Sequence, residues 1–123
     1  MSEKCPLCSV PNSKMIASNV MAYAVIDESP VTQGHLLIIP RRHVEDYFEL
    51  SDYEKGACDD LLDKVREEIE ENDASVAGFN VGINVGDVAG QTIPHAHVHL
   101  IPRRPGDVED PSGGVRHLLD SKK

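Results

Sequence analysis

A chain of 123 residues, 40% of them apolar, can fold around one hydrophobic core and leaves no room for a second domain. The formal charge of −9 argues against a general nucleic-acid binder, and its longest apolar runs, such as residues 36–39, are far too short to cross a bilayer. Three cysteines, an odd number, fit a reducing compartment better than a disulfide framework; an N-terminus without the apolar core of a secretion signal likewise points to the cytoplasm.

Cys5-Pro6-Leu7-Cys8 opens the chain. Residues 19–27, rich in Val, Ile and Tyr, read as a strand ending in the turn-prone Asp27-Glu28-Ser29-Pro30. After Gly34, residues 35–40 form a short apolar run closed by proline, which suits a strand buried on both faces, and residues 41–43 are a polar turn.

Ser51-Asp52-Tyr53-Glu54 has the spacing of a capping box, so a helix starts there. Tyr53, Ala57, Leu61, Val65 and Ile69, with Cys58 and Leu62 beside them, form its core face. Residues 51–73 hold ten Asp or Glu against three Lys or Arg, so most of the acidity belongs to this helix. Cys58 reads as a small core residue rather than a reactive thiol.

Phe79, Val81 and Ile83 alternate with polar or small residues, the period of a half-buried strand. The glycine-bearing loop 85–91 then returns the chain into an antiparallel strand over residues 93–101. Strands, one long amphipathic helix, then strands again predict an α+β domain with a mostly antiparallel sheet. The domain spans residues 1–106, including the Cys-x-x-Cys arm, and residues 107–123 read as an irregular tail.

His95, His97 and His99 alternate with Ala96, Val98 and Leu100, which places the three imidazoles on one strand face. Such clusters mark catalysis or metal binding. Residues i and i+4 on a strand lie roughly 13 Å apart, too far for one zinc ion to take all three, so at least one histidine is free for other work. A neutral imidazole, with an ordinary pKa of about 6.5, is a competent nucleophile toward phosphorus. Gly90-Gln91-Thr92, just upstream, offers backbone N–H groups, an amide and a hydroxyl to phosphoryl oxygens. The Gly-x-x-x-x-Gly-Lys-Ser/Thr loop of one ATPase class is absent from the sequence.

Gly34-His35, Gly90-Gln91-Thr92 and His95-Ala96-His97-Val98-His99-Leu100-Ile101 together resemble the histidine triad (HIT) family, over residues 5–106. The resemblance implies a HIT-like fold, usually a homodimer, that cleaves nucleoside phosphates at the α-phosphate. It makes His97 the nucleophile that forms a nucleotidyl-histidine, with His95 and His99 positioning it and His35 as the upstream histidine. It gives Asp27 to ribose hydroxyls, and Asn84, Gly90, Gln91 and Thr92 to the phosphate site. The transferase branch has glutamine at the third histidine, so His99 places this chain on the hydrolase side.

Cys5-x-x-Cys8 alone is a redox, metal or accidental fragment. In some bacterial proteins that the sequence resembles, positions matching Cys5, Cys8, His43 and His95 form a Cys2His2 set, a fitting donor set for structural zinc; the chemistry itself needs no cofactor. Arg103 and Arg104 follow the triad strand and are candidates for extra phosphates on a leaving group, or a solvated basic turn. The run after the triad resembles dinucleoside-polyphosphate hydrolases of the fragile-histidine-triad branch, whereas the cysteine arm resembles bacterial members. Residues 113–116 are a further anion contact or a flexible tail.

The leading expectation is a hydrolase of nucleoside 5′-phosphoric anhydrides or phosphoramidates, acting on a purine nucleotide substrate and binding neither nucleic acid nor membrane. Two alternatives stand beside it: a non-catalytic nucleotide-binding or regulatory module, and a metalloenzyme using the histidine cluster.

Overall fold

Prolines and runs of β-branched residues decide where the backbone pairs. In the computed structural model, which describes residues 5–116, five strands and one long helix follow in the order β1 (Ala17–Ser18), β2 (Ala22–Ile26), β3 (Leu36–Pro40), α1 (Asp52–Asn72), β4 (Gly78–Gly82) and β5 (Val98–Arg103). The sheet order is β1-β2-β3-β5-β4, with every neighbouring pair antiparallel. This is the α+β architecture that the sequence pattern predicts.

Alternation along the central strands separates two faces. Ala22, Ala24, Leu36, Ile38, Val98 and Leu100 meet Cys58, Leu61 and Val65 of α1. Tyr23, Val25, Leu37 and Ile39 point the other way and pack with Leu7 of the N-terminal arm. The helix covers one face of the sheet and the arm covers part of the other. All five residues of β3 are buried, as its unbroken apolar run requires.

The capping box forms as its spacing predicts: the Ser51 hydroxyl accepts from the Glu54 N–H at 3.1 Å, and the Glu54 carboxylate accepts from the Ser51 N–H at 2.8 Å. Tyr53 departs from expectation, being 84% exposed, because the neighbouring Glu54 takes the inward position. Buried Glu54 accepts from Arg42 Nε and Nη2, each at 2.8 Å. Cys58 sits in the core as expected, and burial pushes its thiol up to about 11.

Two strands start later than predicted. Residues 19–21 turn rather than pair, since the Asn19 side chain accepts from the N–H groups of Met21 and Ala22. β5 begins at Val98 rather than residue 93, because Pro40 and Pro94 carry no N–H for a ladder. The Ala96 N–H turns instead to the Val44 carbonyl at 2.9 Å. At its other end β5 runs two residues past the predicted end at Ile101, to Arg103, which pairs with Gly78. Ile83 lies beyond the end of β4, and Val81 within it is 49% exposed. Residues 107–116 contain no strand, and the rest of the predicted tail, 117–123, lies outside the described residues.

Candidate active site

Of the three alternating histidines only His99 lies in β5; His95 and His97 precede it, which corrects the expectation of one continuous strand. Their environments still alternate. Ala96 packs with Val44 and Leu50, and Val98 and Leu100 face the helix, while the histidines turn to the opposite side. His97 and His99 line a cavity of about 870 Å³ on the arm face, and their ring centroids are 5.2 Å apart.

Hydrogen bonds to groups that act only as donors or only as acceptors fix the tautomers. The Nδ1 of His97 lies 2.8 Å from the carbonyl of His95. A carbonyl only accepts, so Nδ1 carries the proton and the lone pair of the neutral ring is on Nε2. On buried His35, Nδ1 accepts the Val31 N–H at 3.0 Å, so its proton is on Nε2. That Nε2–H faces His99 Nδ1 at 3.0 Å and Asp27 Oδ2 at 3.3 Å. Donation to His99 Nδ1 leaves His99 with its proton on Nε2. The result is an ordered chain from the Val31 amide through His35 to His99.

Burial pushes both His35 and His99 below the ordinary histidine range. For His99 the neighbouring His97 and His35 add to the effect, and for both rings Asp27 opposes it. The pair is therefore neutral near pH 7, with the His35 Nε2–H holding the His99 proton on Nε2. Asp27 also lines the cavity, and its Oδ1 accepts from the Ser29 N–H at 2.8 Å.

Asn84, Gly90 and Thr92 line the same cavity. Gly90 has φ +94, and a Cβ there would lie 3.3 Å from Asn84 Nδ2. Only glycine lets this loop close on Asn84, whose amide donates to the Gly90 carbonyl at 3.3 Å. The N–H groups of Gly90 and Gln91 are spent on Asp87 and Gly86, so they do not form the predicted phosphate cradle. The Gln91 side chain does not face the cavity either: it accepts from the Gly86 N–H and donates to the carbonyls of Glu45 and Ile93. It braces the loop. Thr92, exposed at the cavity, keeps its hydroxyl open.

Arg103 and Arg104 do not reach the cavity. Arg103 holds Asp107 through Nε and Nη2, each at 2.8 Å, and Asn80 at 2.6 Å. Arg104 donates to Asp73 at 2.9 Å and to Ser75 at 3.0 Å. Their role as leaving-group contacts is corrected, because both guanidinium groups staple the segment after β5 to its surroundings. Residues 113–116 turn back on themselves through Gly114 N–H to Pro111 and Arg116 N–H to Gly113, and the cavity wall does not include them.

His95 is fully buried and turned away from the cavity. Its Nε2–H donates to the Pro40 carbonyl at 2.8 Å, which leaves a lone pair on Nδ1. That Nδ1 lies 3.5 Å from both Cys5 Sγ and Cys8 Sγ and 3.2 Å from His43 Nδ1; His43 Nδ1 is also 3.2 Å from Cys8 Sγ. Donors around a tetrahedral zinc stand roughly 3.3 to 3.8 Å apart. The donor set, its spacing and the carbonyl behind His95 all fit such an ion. Asp27, His35 and His99 also cluster, but there the Val31 N–H keeps the His35 proton on Nε2, the nitrogen a metal would need.

Sequence reasoning missed the carbonyls of Pro40 and His95 and the Val31 amide, which orient all these rings; backbone groups leave no trace in residue identity. It also missed the arm as cavity wall, although apolar Leu7 and Val10 around the second cysteine were a visible signal.

The profile of the HIT domain matches residues 9–106, and the chain belongs to that family. It is 35% identical over 100 residues to a bis(5′-nucleosyl)-tetraphosphatase (asymmetrical) of Schizosaccharomyces pombe, covering 80% of this chain and 53% of the relative. It is 35% identical over 103 residues to an AP-4-A phosphorylase of Mycobacterium tuberculosis, covering 83% and 52%. The chain thus spans about half the length of these relatives. A zinc-bound histidine triad family protein from Mycobacterium smegmatis superposes with a TM-score of 0.70 at 30% identity, covering 76% of this chain and 67% of that one.

Proposed function

We propose that this HIT-domain chain hydrolyses nucleoside 5′-phosphoric anhydrides or phosphoramidates at the α-phosphate through a nucleotidyl-His97 intermediate. The observation that carries the reading is the His97 Nδ1–H bond to the His95 carbonyl, which leaves the Nε2 lone pair for attack beside the Nε2–H of a neutral His99. A bond forms between His97 Nε2 and phosphorus as the bond to the leaving group breaks; the His99 Nε2–H hydrogen-bonds the departing atom, which takes its proton from solvent water. Water then attacks phosphorus, its proton neutralises the hydroxide left in solvent by the first step, and His97 leaves with the nitrogen lone pair restored. Thr92 and Asn84 contact the phosphoryl oxygens, Asp27 the ribose, and His35 holds His99 in its tautomer. Gln91 acts by bracing the loop that carries Gly90.

Cys5, Cys8, His43 and His95 would hold a structural zinc, which when bound ties the arm to the active segment; the chemistry itself runs on the imidazoles. The lone-pair accounting on His35 favours this reading over a metalloenzyme built on the histidines. The domain comprises residues 1–106, since the arm packs into the sheet face. A purine nucleotide as substrate, a homodimer formed across the half-exposed β4 edge at Val81 and Ile83, and a reducing, cytoplasmic setting suited to three unpaired thiols complete the proposal. Among the described residues no helix is long and apolar enough to cross a membrane.

The test is to quench turnover of dinucleoside polyphosphates and adenosine phosphoramidates and search by mass for a nucleotidyl group on the peptide carrying His97. An adduct there is the expected result. Turnover without one, or with the adduct elsewhere, overturns the mechanism. Failure to turn over any of the panel while AMP still binds points to a binding module instead.

A further inference from the structure

The arm before β1 belongs to two sites at once. Cys5 stands at tetrahedral spacing from His95, Cys8 from both His43 and His95, and all four donor atoms lie within 4.8 Å of one another. On the same stretch Pro6, Leu7 and Val10, followed by Ile16, form an apolar wall of the cavity that also holds His97, His99 and Thr92. A nucleoside phosphate has matching polarity, with an anionic group for the histidines and a flat apolar base for the wall.

Leu7 is the one buried residue of that wall, and Cys5, Val10 and Met15 pack only partly buried against the same cluster. The Tyr23 hydroxyl donates to the Leu7 carbonyl, Leu7 packs with Tyr23, Val25, Leu37 and Ile39, and the Ile16 N–H donates to Ala24 at 2.9 Å. Between Leu7 and Ile16 no residue is buried. The stretch bearing Val10 is a bridge anchored by the sheet at one end and by the cysteines at the other. At the cysteine end the arm is held by thiol–imidazole contacts of 3.2 to 3.5 Å, which are far weaker than metal–ligand bonds.

We propose that Leu7 and Val10 are substrate-positioning residues, and that through them an ion at Cys5, Cys8, His43 and His95 and a nucleotide in the cavity bind with positive linkage. This rests on the nucleotide reading given above. The ion fixes the wall against which the base packs. By reciprocity, a bound nucleotide holds the arm down and slows loss of the ion.

The experiment uses the zinc-loaded chain. AMP is titrated calorimetrically into the loaded protein, the chelator-stripped protein, Cys8→Ser and Val10→Ser. Separately, zinc transfer from the wild-type chain to a colorimetric chelator is timed with and without saturating AMP, a readout that needs no substitution if Cys8→Ser folds poorly. Expected are AMP binding weaker by about tenfold on loss of zinc, and transfer slowed by a similar factor with AMP. Val10→Ser should weaken AMP binding with zinc content unchanged.

Equal AMP affinity with and without zinc, together with a transfer rate indifferent to AMP, overturns the linkage and leaves the nucleotide reading standing. AMP binding to neither form overturns both. A chain purified without chelator that carries no zinc also overturns the linkage.

Discussion

The carbonyl of His95 accepts the Nδ1–H of His97 at 2.8 Å, while the ring of His95 points away into the cysteine cluster. One residue thereby belongs to two sites, its backbone to one and its side chain to the other. His97→Ala removes the proposed nucleophile but leaves the cavity walls and Thr92 in place. Turnover should fall by at least about 10³-fold, with AMP affinity by calorimetry within about threefold of wild type. Retained turnover would sink the assignment of His97.

Protonation of His35 or His99 breaks the ordered chain of imidazoles. Burial lowers the pKa of both, so the acid limb of kcat/KM should lie below about 6.5, the ordinary histidine value. The same sign governs folding. Unfolded imidazoles take protons near pH 6.5 and folded ones only at lower pH, so their contribution is whole above about 6.5 and is lost as pH falls through the folded values. A pH series of urea midpoints beside the rate profile checks both. His35→Leu should cost about 10- to 100-fold in kcat by freeing the His99 tautomer.

Glu54 is the buried acid of α1, held down to about 2 by its hydrogen bonds from Arg42 and then by those around Ser51. Glu54→Ala removes half the capping box and strands a guanidinium that is itself largely exposed, so the loss should be about 2 kcal/mol by chemical denaturation. Because the folded pKa is depressed, this stabilisation is full above the unfolded value of about 4.3 and drains away as pH falls toward 2. A wild-type midpoint flat across that window would contradict the pairing.

Arg103→Gln and Arg104→Gln test whether these cations serve substrate or structure. Both are committed to carboxylates, Arg103 to Asp107 and Arg104 to Asp73. Hydrogen bonds from Ser75 and then Arg104 hold Asp73 down to about 2. KM for dinucleoside polyphosphates should stay within about twofold, and stability should drop by no more than about 1 kcal/mol. A tenfold rise in KM confined to highly charged leaving groups would restore them to the site.

Much of this was legible in the chain. Ser51 and Glu54 announced the helix start, the run ending in Pro40 announced a strand buried on both faces, and alternation separated the histidines from Ala96, Val98 and Leu100. These are local rules, in which each residue acts through neighbours a few positions away. The errors have a common source. Tyr53 fitted the helical period, yet one inward-facing position was taken by a carboxylate whose partner, Arg42, is 12 residues away. Arg103 and Arg104 looked available because sequence does not reveal which charges already face each other.

The sequence by itself determined the element types, the antiparallel α+β class and the set of candidate residues for the chemistry, because period and residue type are carried by the chain directly. Only the tertiary structure decided how those residues divide their work. Hydrogen-bond direction depends on which carbonyl or amide stands opposite a ring, and those groups come from Pro40, Val31 and His95 itself. That placement put the His97 lone pair on Nε2, the His99 proton toward the cavity and the His95 lone pair toward the cysteines.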